Sequence, residues 1–215
     1  PGTHTLSFKG GAVANILPFE APPSGDYFFC SNLGDESDMY LMQTFDLTEV
    51  NGEAVLSFKT WYDLEEDYDY VFISASTDGK HWQILDSLTC TTENPSGNSY
   101  GCGWNGASGD SIEERVDLSA FAGTEVTLRF DYVTDAAING IGMAMDDFRL
   151  DAIGYASDLE QDAGGWEGAG FVRLMNALPQ TYSLSVISEG NQTSVENISL
   201  EADNSTTFAV TIGGD

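Results

Sequence analysis

In this chain of 215 residues, 35 Asp and Glu stand against 7 Lys and Arg, a formal net charge of -28 at pH 7. That balance excludes nucleic acid and anionic membrane surfaces as partners, because no basic stripe is available to meet phosphates. Hydrophobic residues make up 41% of the chain and aromatics 12%, so the acidity belongs to a globular protein with a core and not to a disordered tail.

The chain opens at Pro1 without an initiator Met, as a mature product or an excised piece would, and residues 3–8 (THTLSF) alternate as a strand. An aromatic run, Tyr27 to Phe29, leads to Cys30, which reads as a buried thiol. Strand signals then recur at 55–61, 70–76, 125–132, 182–187 and 206–212, each short and rich in β-branched or aromatic residues. Asn51-Gly52, Asp78-Gly79 and Asn139-Gly140 supply turn chemistry between them. Residues 113–121 hold a short helical turn at most. Cys90 and Cys102 bracket a loop of turn formers, and a disulfide between them would contribute about 3 kcal/mol and implies an oxidising compartment. Residues 145–151 read as a closing core strand, and a boundary is expected near 151–158. The expected organisation is an all-β jelly-roll sandwich over 1–153 followed by a small β domain over 154–215. The smaller part is too short to bury a good core alone and should dock on another surface. No apolar run approaches the roughly 20 residues that span a bilayer.

Catalytic signatures are missing from the sequence. His4 and His81 are its two histidines and neither has a Glu-x-x-His neighbour, so no zinc-protease helix can form. No Gly-x-Ser-x-Gly elbow marks a nucleophile. Carboxylates are abundant enough for a glycosidase pair, but nothing separates two of them from the crowd. Their density instead suggests a hard cation. Calcium takes six to eight oxygen ligands, and three acidic clusters could supply them: Asp35, Ser37 and Asp38; Glu65, Asp67 and Asp69; Asp146 and Asp147 at an expected strand start. Asp135 sits before Asn139-Gly140 as a further ligand candidate. Asp38 and Asp147, flanked by apolar strand residues, look least like surface groups. None of these matches an EF-hand, so distant loops would have to converge. Asn191, Asn197 and Asn204 begin glycosylation triplets. Trp82, Trp104 and Trp166 are either a sugar-stacking platform or core residues.

Residues 31–38 (SNLGDESD), 61–70 (WYDLEEDYDY), 76–79 (STDG) with Trp82, and 131–135 (DYVTD) followed by 145–148 (MDDF) together resemble one family. It is the immune inhibitor A type of secreted bacterial metallopeptidase, in the region after its catalytic domain. Residues 164–172 (GGWEGAGFV) through 178–180 (LPQ) resemble that region's final segment. The resemblance implies a MAM-like jelly roll that binds calcium through the loops named above, in a secreted, extracellular or cell-surface setting. It does not carry peptidase activity over, because the His-Glu-x-x-His helix is absent. Cys30 stands where the family has an aromatic residue, residues 143–145 depart from its usual pattern, and its last strands would lie beyond Asp215. The expected role is a non-enzymatic, calcium-stabilised interaction module with a protein or glycan partner. Two alternatives follow: a self-associating filament subunit that donates residues 1–8 to a neighbour's sheet, and a carbohydrate-binding module.

Overall fold

The computed structural model describes residues 1–15, 17–18, 24–190 and 192–213; the candidate Asn191 lies outside them. The chain forms two compact units, one from residues 1–18 with 177–215 and the other from 19–176.

The larger unit is a β-sandwich of two six-stranded antiparallel sheets. In the first sheet Glu125–Val133 lies between Asp38–Asp46 and Tyr70–Ser76, with Glu167–Ala169 at one edge and Gln83–Ile84 and Gly103–Trp104 beside Tyr70–Ser76. In the second, Gly142–Leu150 lies between Tyr27–Cys30 and Val55–Asp63, flanked by Val172–Met175, Tyr155–Ser157 and Ile112–Asp117. With the principal strands counted in chain order, the second sheet runs first, eighth, third, sixth. The first sheet runs second, seventh, fourth, fifth. That order is the jelly roll expected from the strand pattern.

Period-two alternation makes the core. In Val55–Asp63, Leu56, Phe58, Thr60 and Tyr62 are buried while their neighbours are half-exposed. Phe58 sits at the centre, 5.2 Å from the Phe130 ring, 5.7 Å from Phe148 and 5.9 Å from Trp104. Trp166 closes the same cluster, 4.8 Å from Phe148 and 5.6 Å from Phe130. The Gly-rich turn carrying Trp166 therefore belongs to the sandwich. Gly170, at φ 90°, lets the chain pass against Met39, where a Cβ would overlap the Met39 side chain. The strands at 155–157, 167–169 and 172–175, assigned above to a separate 154–215 domain, thus pair into the larger unit.

Within residues 113–121, read as holding a short helical turn at most, the turn is a 3-10 helix at Ser119–Phe121, and the preceding residues belong to the strand Ile112–Asp117. Glu114 hid the alternation by occupying an inward position. Its carboxylate is fully buried and accepts from Trp104 Nε1 at 3.1 Å and Leu88 N at 3.0 Å, which replaces the water it lost. The Cys90–Cys102 disulfide closes the loop beside this strand, and Cys30 is a buried free thiol raised to about 12 by burial.

In the smaller unit Gly2–Lys9 pairs antiparallel with Ser205–Ile212 along its whole length. Val13–Ala14 pairs with Leu178–Pro179, and Leu184–Ser188 with Ser194–Ile198. The Phe8 ring meets Tyr182 edge-on at 5.4 Å. The N-terminal strand, pictured above as free to complete a neighbour's sheet, is thus occupied by the chain's own C-terminal strand.

Phe58→Ala should lower unfolding free energy by about 3–5 kcal/mol, the range for a buried aromatic truncated to Ala. Chemical denaturation of both proteins checks this; a loss below 1 kcal/mol would contradict the placement of Phe58 at the core's centre.

Candidate metal centre

Three loops at one end of the sandwich converge. They are residues 34–38, leading into Asp38–Asp46; residues 64–69, between Val55–Asp63 and Tyr70–Ser76; and residues 134–141, between Glu125–Val133 and Gly142–Leu150. Main-chain bonds hold them together: Glu36 N donates to Asp135 O at 2.6 Å and Thr134 N to Ser37 O at 3.0 Å. Thr134 Oγ1 adds a bond to Gly34 O at 2.5 Å and accepts from Ser37 N at 3.0 Å. Gly140 brings the third loop against the second, since a Cβ there would fall on the Asp63 carbonyl. Each loop also holds a non-glycine residue in left-handed conformation: Glu36 at φ 47°, Asp67 at 70° and Ile138 at 67°. Such conformations are costly, most of all for β-branched Ile, and collect where function fixes the backbone.

Convergence places one ligand atom each of Glu65, Asp69 and Asp135 within 4.8 Å of one another. Asp69 is 1% exposed; its Oδ1 accepts from Asp135 N at 3.0 Å and its Oδ2 from Tyr132 OH at 3.2 Å. Glu65 Oε2 is shut from water with no hydrogen-bond partner. Burial, then the charges of Asp135 and Asp69, push the Glu65 carboxyl above its usual range. Asp69 is likewise raised, chiefly by burial, with Asp135 and Asp35 adding to the effect against its two hydrogen bonds. Asn105 Nδ2 braces the turn from the main chain, donating to Asp69 O at 3.2 Å and Glu65 O at 3.4 Å. A buried carboxylate oxygen without a donor, facing two more carboxylates, is a donor set for a hard cation: all oxygen, negative and preorganised.

The other candidates are placed differently. Asp35 holds Asn139 Nδ2 at 2.6 Å, and the Ser37 hydroxyl donates to Asp35 O at 3.0 Å; both residues lie in the first converging loop. Asp67 contributes its carbonyl, which accepts from Ser96 Oγ and Tyr70 OH. Asp38, read as a buried type, is exposed at the start of its strand. Asp146 and Asp147 lie within Gly142–Leu150 and not at its start, at a register shift against Val55–Asp63. Asp146 is fully buried and pushed up to about 6 by burial; it accepts from Ser24 N at 3.1 Å and Asp147 N at 2.7 Å. Burial also acts to raise Asp147, but Lys59 Nζ at 2.9 Å and the Ser24 hydroxyl at 2.8 Å hold it lower. This pair is therefore a separate locus with its own cation.

Of the tryptophans, Trp104 and Trp166 are 1% and 3% exposed, so they are core residues and no platform; Trp82 is half-buried. Asn197 is exposed on Ser194–Ile198, whereas Asn204 Nδ2 donates to Gly11 O at 3.3 Å from a left-handed turn. Sequence reasoning missed Tyr132, Asn105 and Thr134, because each reaches the centre from 30 or more residues away from its partner.

Residues 15–175 match the family described as Immune inhibitor A-like, MAM domain. The chain is 32% identical over 143 residues to Pre-pro-metalloprotease PrtV of Vibrio cholerae, covering 66% of this chain and 15% of that protein. It is 29% identical over 167 residues to Immune inhibitor A of Bacillus thuringiensis subsp. alesti, covering 75% and 23%. It is 26% identical over 132 residues to Bacillopeptidase F of Bacillus subtilis, covering 59% and 8%. The chain thus spans less than a quarter of the length of each of these relatives. The jelly-roll order and this match agree: the chain belongs to the Immune inhibitor A-like MAM domain family.

Proposed function

We propose that this chain is a non-catalytic, calcium-stabilised extracellular module whose loops engage a protein or glycan partner. The observation that carries the reading is the Glu65–Asp69–Asp135 cluster with its orphaned Glu65 oxygen. At a net charge of -28, the chain also gains from any divalent counter-ion that ties its loops together. A MAM-type region supports a non-catalytic role, and relatives named as a pre-pro-metalloprotease and immune inhibitor A support an extracellular one. Glu65, Asp69 and Asp135 would hold the ion, with Asp35, Ser37 and Asp67 supplying the surrounding loop. Asp146 and Asp147 are held to Ser24 and Lys59 and would stabilise the second sheet. Self-association by strand addition would first require Gly2–Lys9 to leave its pairing with Ser205–Ile212.

Glu65→Gln is the direct test, since it keeps the shape and removes one charge. In chelator the variant should melt at a higher temperature than the parent, because repulsion and the buried charge are relieved. In calcium the order should reverse, with calcium affinity down at least 10-fold by calorimetric titration. Equal calcium responses in both proteins would overturn the assignment.

A pH dependence follows from the same groups. Glu65, Asp69 and Asp146 have folded-state pKa values above their unfolded ones, so their ionisation opposes folding as pH rises. The chelated chain should therefore gain stability as pH falls from about 6 towards about 4, the interval between the folded Asp146 value and an ordinary carboxylate. Below that, Asp46, Asp78 and Asp117, whose values are lowered by local hydrogen bonds, lose their contribution. Thermal melts across this range check it; stability falling steadily from pH 6 would contradict it.

A further inference from the structure

The outer face of the first sheet carries a second constellation, and strand register builds it. Opposed residues on antiparallel strands share a face. Asp131 pairs with Phe72 and Tyr40, Arg129 with Ser74 and Met42, and Val133 with Tyr70 and Asp38. The core side belongs to Leu128, Phe130 and Tyr132, so Arg129 and Asp131 point away from it. Arg129 Nε bonds Asp131 at 2.7 Å, and the guanidinium lies 4.4 Å from the centre of the Trp82 ring.

A wall rises from the disulfide loop. Tyr100, two residues before Cys102, leans on Phe72 with ring centres 5.5 Å apart, yet remains 70% exposed. The chain reaches this position because Gly103 crosses the Phe72 ring where a Cβ would approach within 2.8 Å. Trp82 and Tyr100 thus flank a cavity of about 270 Å³ whose floor includes Asp38, Ser74, Arg129 and Asp131. All of these residues lie in the larger unit.

The chemistry of the lining selects its ligand. Asp38 and Asp131 disfavour an anion, and so does the surrounding negative charge. Arg129 in the floor disfavours a cation. What remains suits a neutral molecule rich in hydroxyls. A paired carboxylate keeps lone pairs for a further hydroxyl, a guanidinium keeps further N–H donors after its Nε is used, and the exposed Tyr100 ring packs on C–H surfaces. The volume falls just under the roughly 300 Å³ lower bound for drug-sized pockets, which limits occupancy to a ring or so of a longer ligand. Asp131 is 8% exposed and Ser74 4%, so the polar floor is held by the sheet and not by a mobile loop.

We infer that this face is a binding site for a neutral saccharide, with Tyr100 stacking on the sugar, Trp82 holding the Arg129 guanidinium in place, and Arg129 and Asp131 bonding its hydroxyls. This goes beyond the calcium-bound module and names the class of partner it presents to. The metal cluster and this cavity use different residues, so the two readings fail separately.

The test is a microarray of neutral and anionic glycans probed with the full chain in calcium buffer. Titration of the best-bound neutral oligosaccharide then follows, against the parent, Tyr100→Ala, Tyr100→Phe and Arg129→Ala. The site predicts neutral-glycan binding that weakens at least 10-fold in Tyr100→Ala, survives in Tyr100→Phe and is lost in Arg129→Ala. Tyr100 is largely exposed, so its truncation should leave the melting temperature unchanged and separate binding from folding. No neutral glycan bound, binding confined to anionic glycans, or binding unchanged in Tyr100→Ala would each overturn the inference.

Discussion

The loop end of the sandwich depends on how three carboxylates are tolerated within 4.8 Å of each other. Two of them cannot escape, because Asp69 is fixed by Tyr132 and the Asp135 amide while Glu65 has an oxygen closed to water. Protonation or a cation can relieve this, and the chain's 7 basic residues supply no cation to this cluster in any ion pair among the described residues. The left-handed residues Glu36, Asp67 and Ile138 add conformational cost at the same place. Repulsion and backbone cost together mean that the loops are held in a shape that a bound ion would justify.

The sandwich was largely legible from the sequence, because strands such as Val55–Asp63 and Glu125–Val133 alternate plainly between core and surface. Where the pattern broke, a buried polar group was responsible. Glu114 hid the strand Ile112–Asp117, and Asp146-Asp147 at a bulge looked like a strand start. The division of the chain was harder to see. Trp166 joins the core from a segment placed beyond the boundary expected near 151–158, and Gly2–Lys9 finds its partner some 200 residues away. Local pattern carries no information about such closures. For the metal centre, the acidic residue types were visible but their selection was not. Glu65, Asp69 and Asp135 stand out from the other carboxylates only once three loops are brought to one end of the fold.

The jelly roll gives the two proposed sites separate places. Its loop end gathers oxygen ligands, while the outer face of the first sheet gathers aromatic rings around one ion pair. The inner aromatics Phe58, Phe130, Phe148 and Trp166 lock the two sheets together, so both sites rest on the same rigid support. The Cys90–Cys102 disulfide contributes by holding the loop that carries Tyr100. On the proposed reading, a metal would pin the loops that adjoin the strands carrying Arg129 and Asp131, as suits a module that would recognise a partner without chemical change.

The most direct measurement is a crystal structure of the chain grown in calcium. The account predicts a cation bound by Glu65, Asp69 and Asp135 at about 2.3–2.6 Å, with Glu65 Oε2 among its ligands. A map showing these carboxylates in the same positions with a water or a shared proton between them, and no cation, would contradict it.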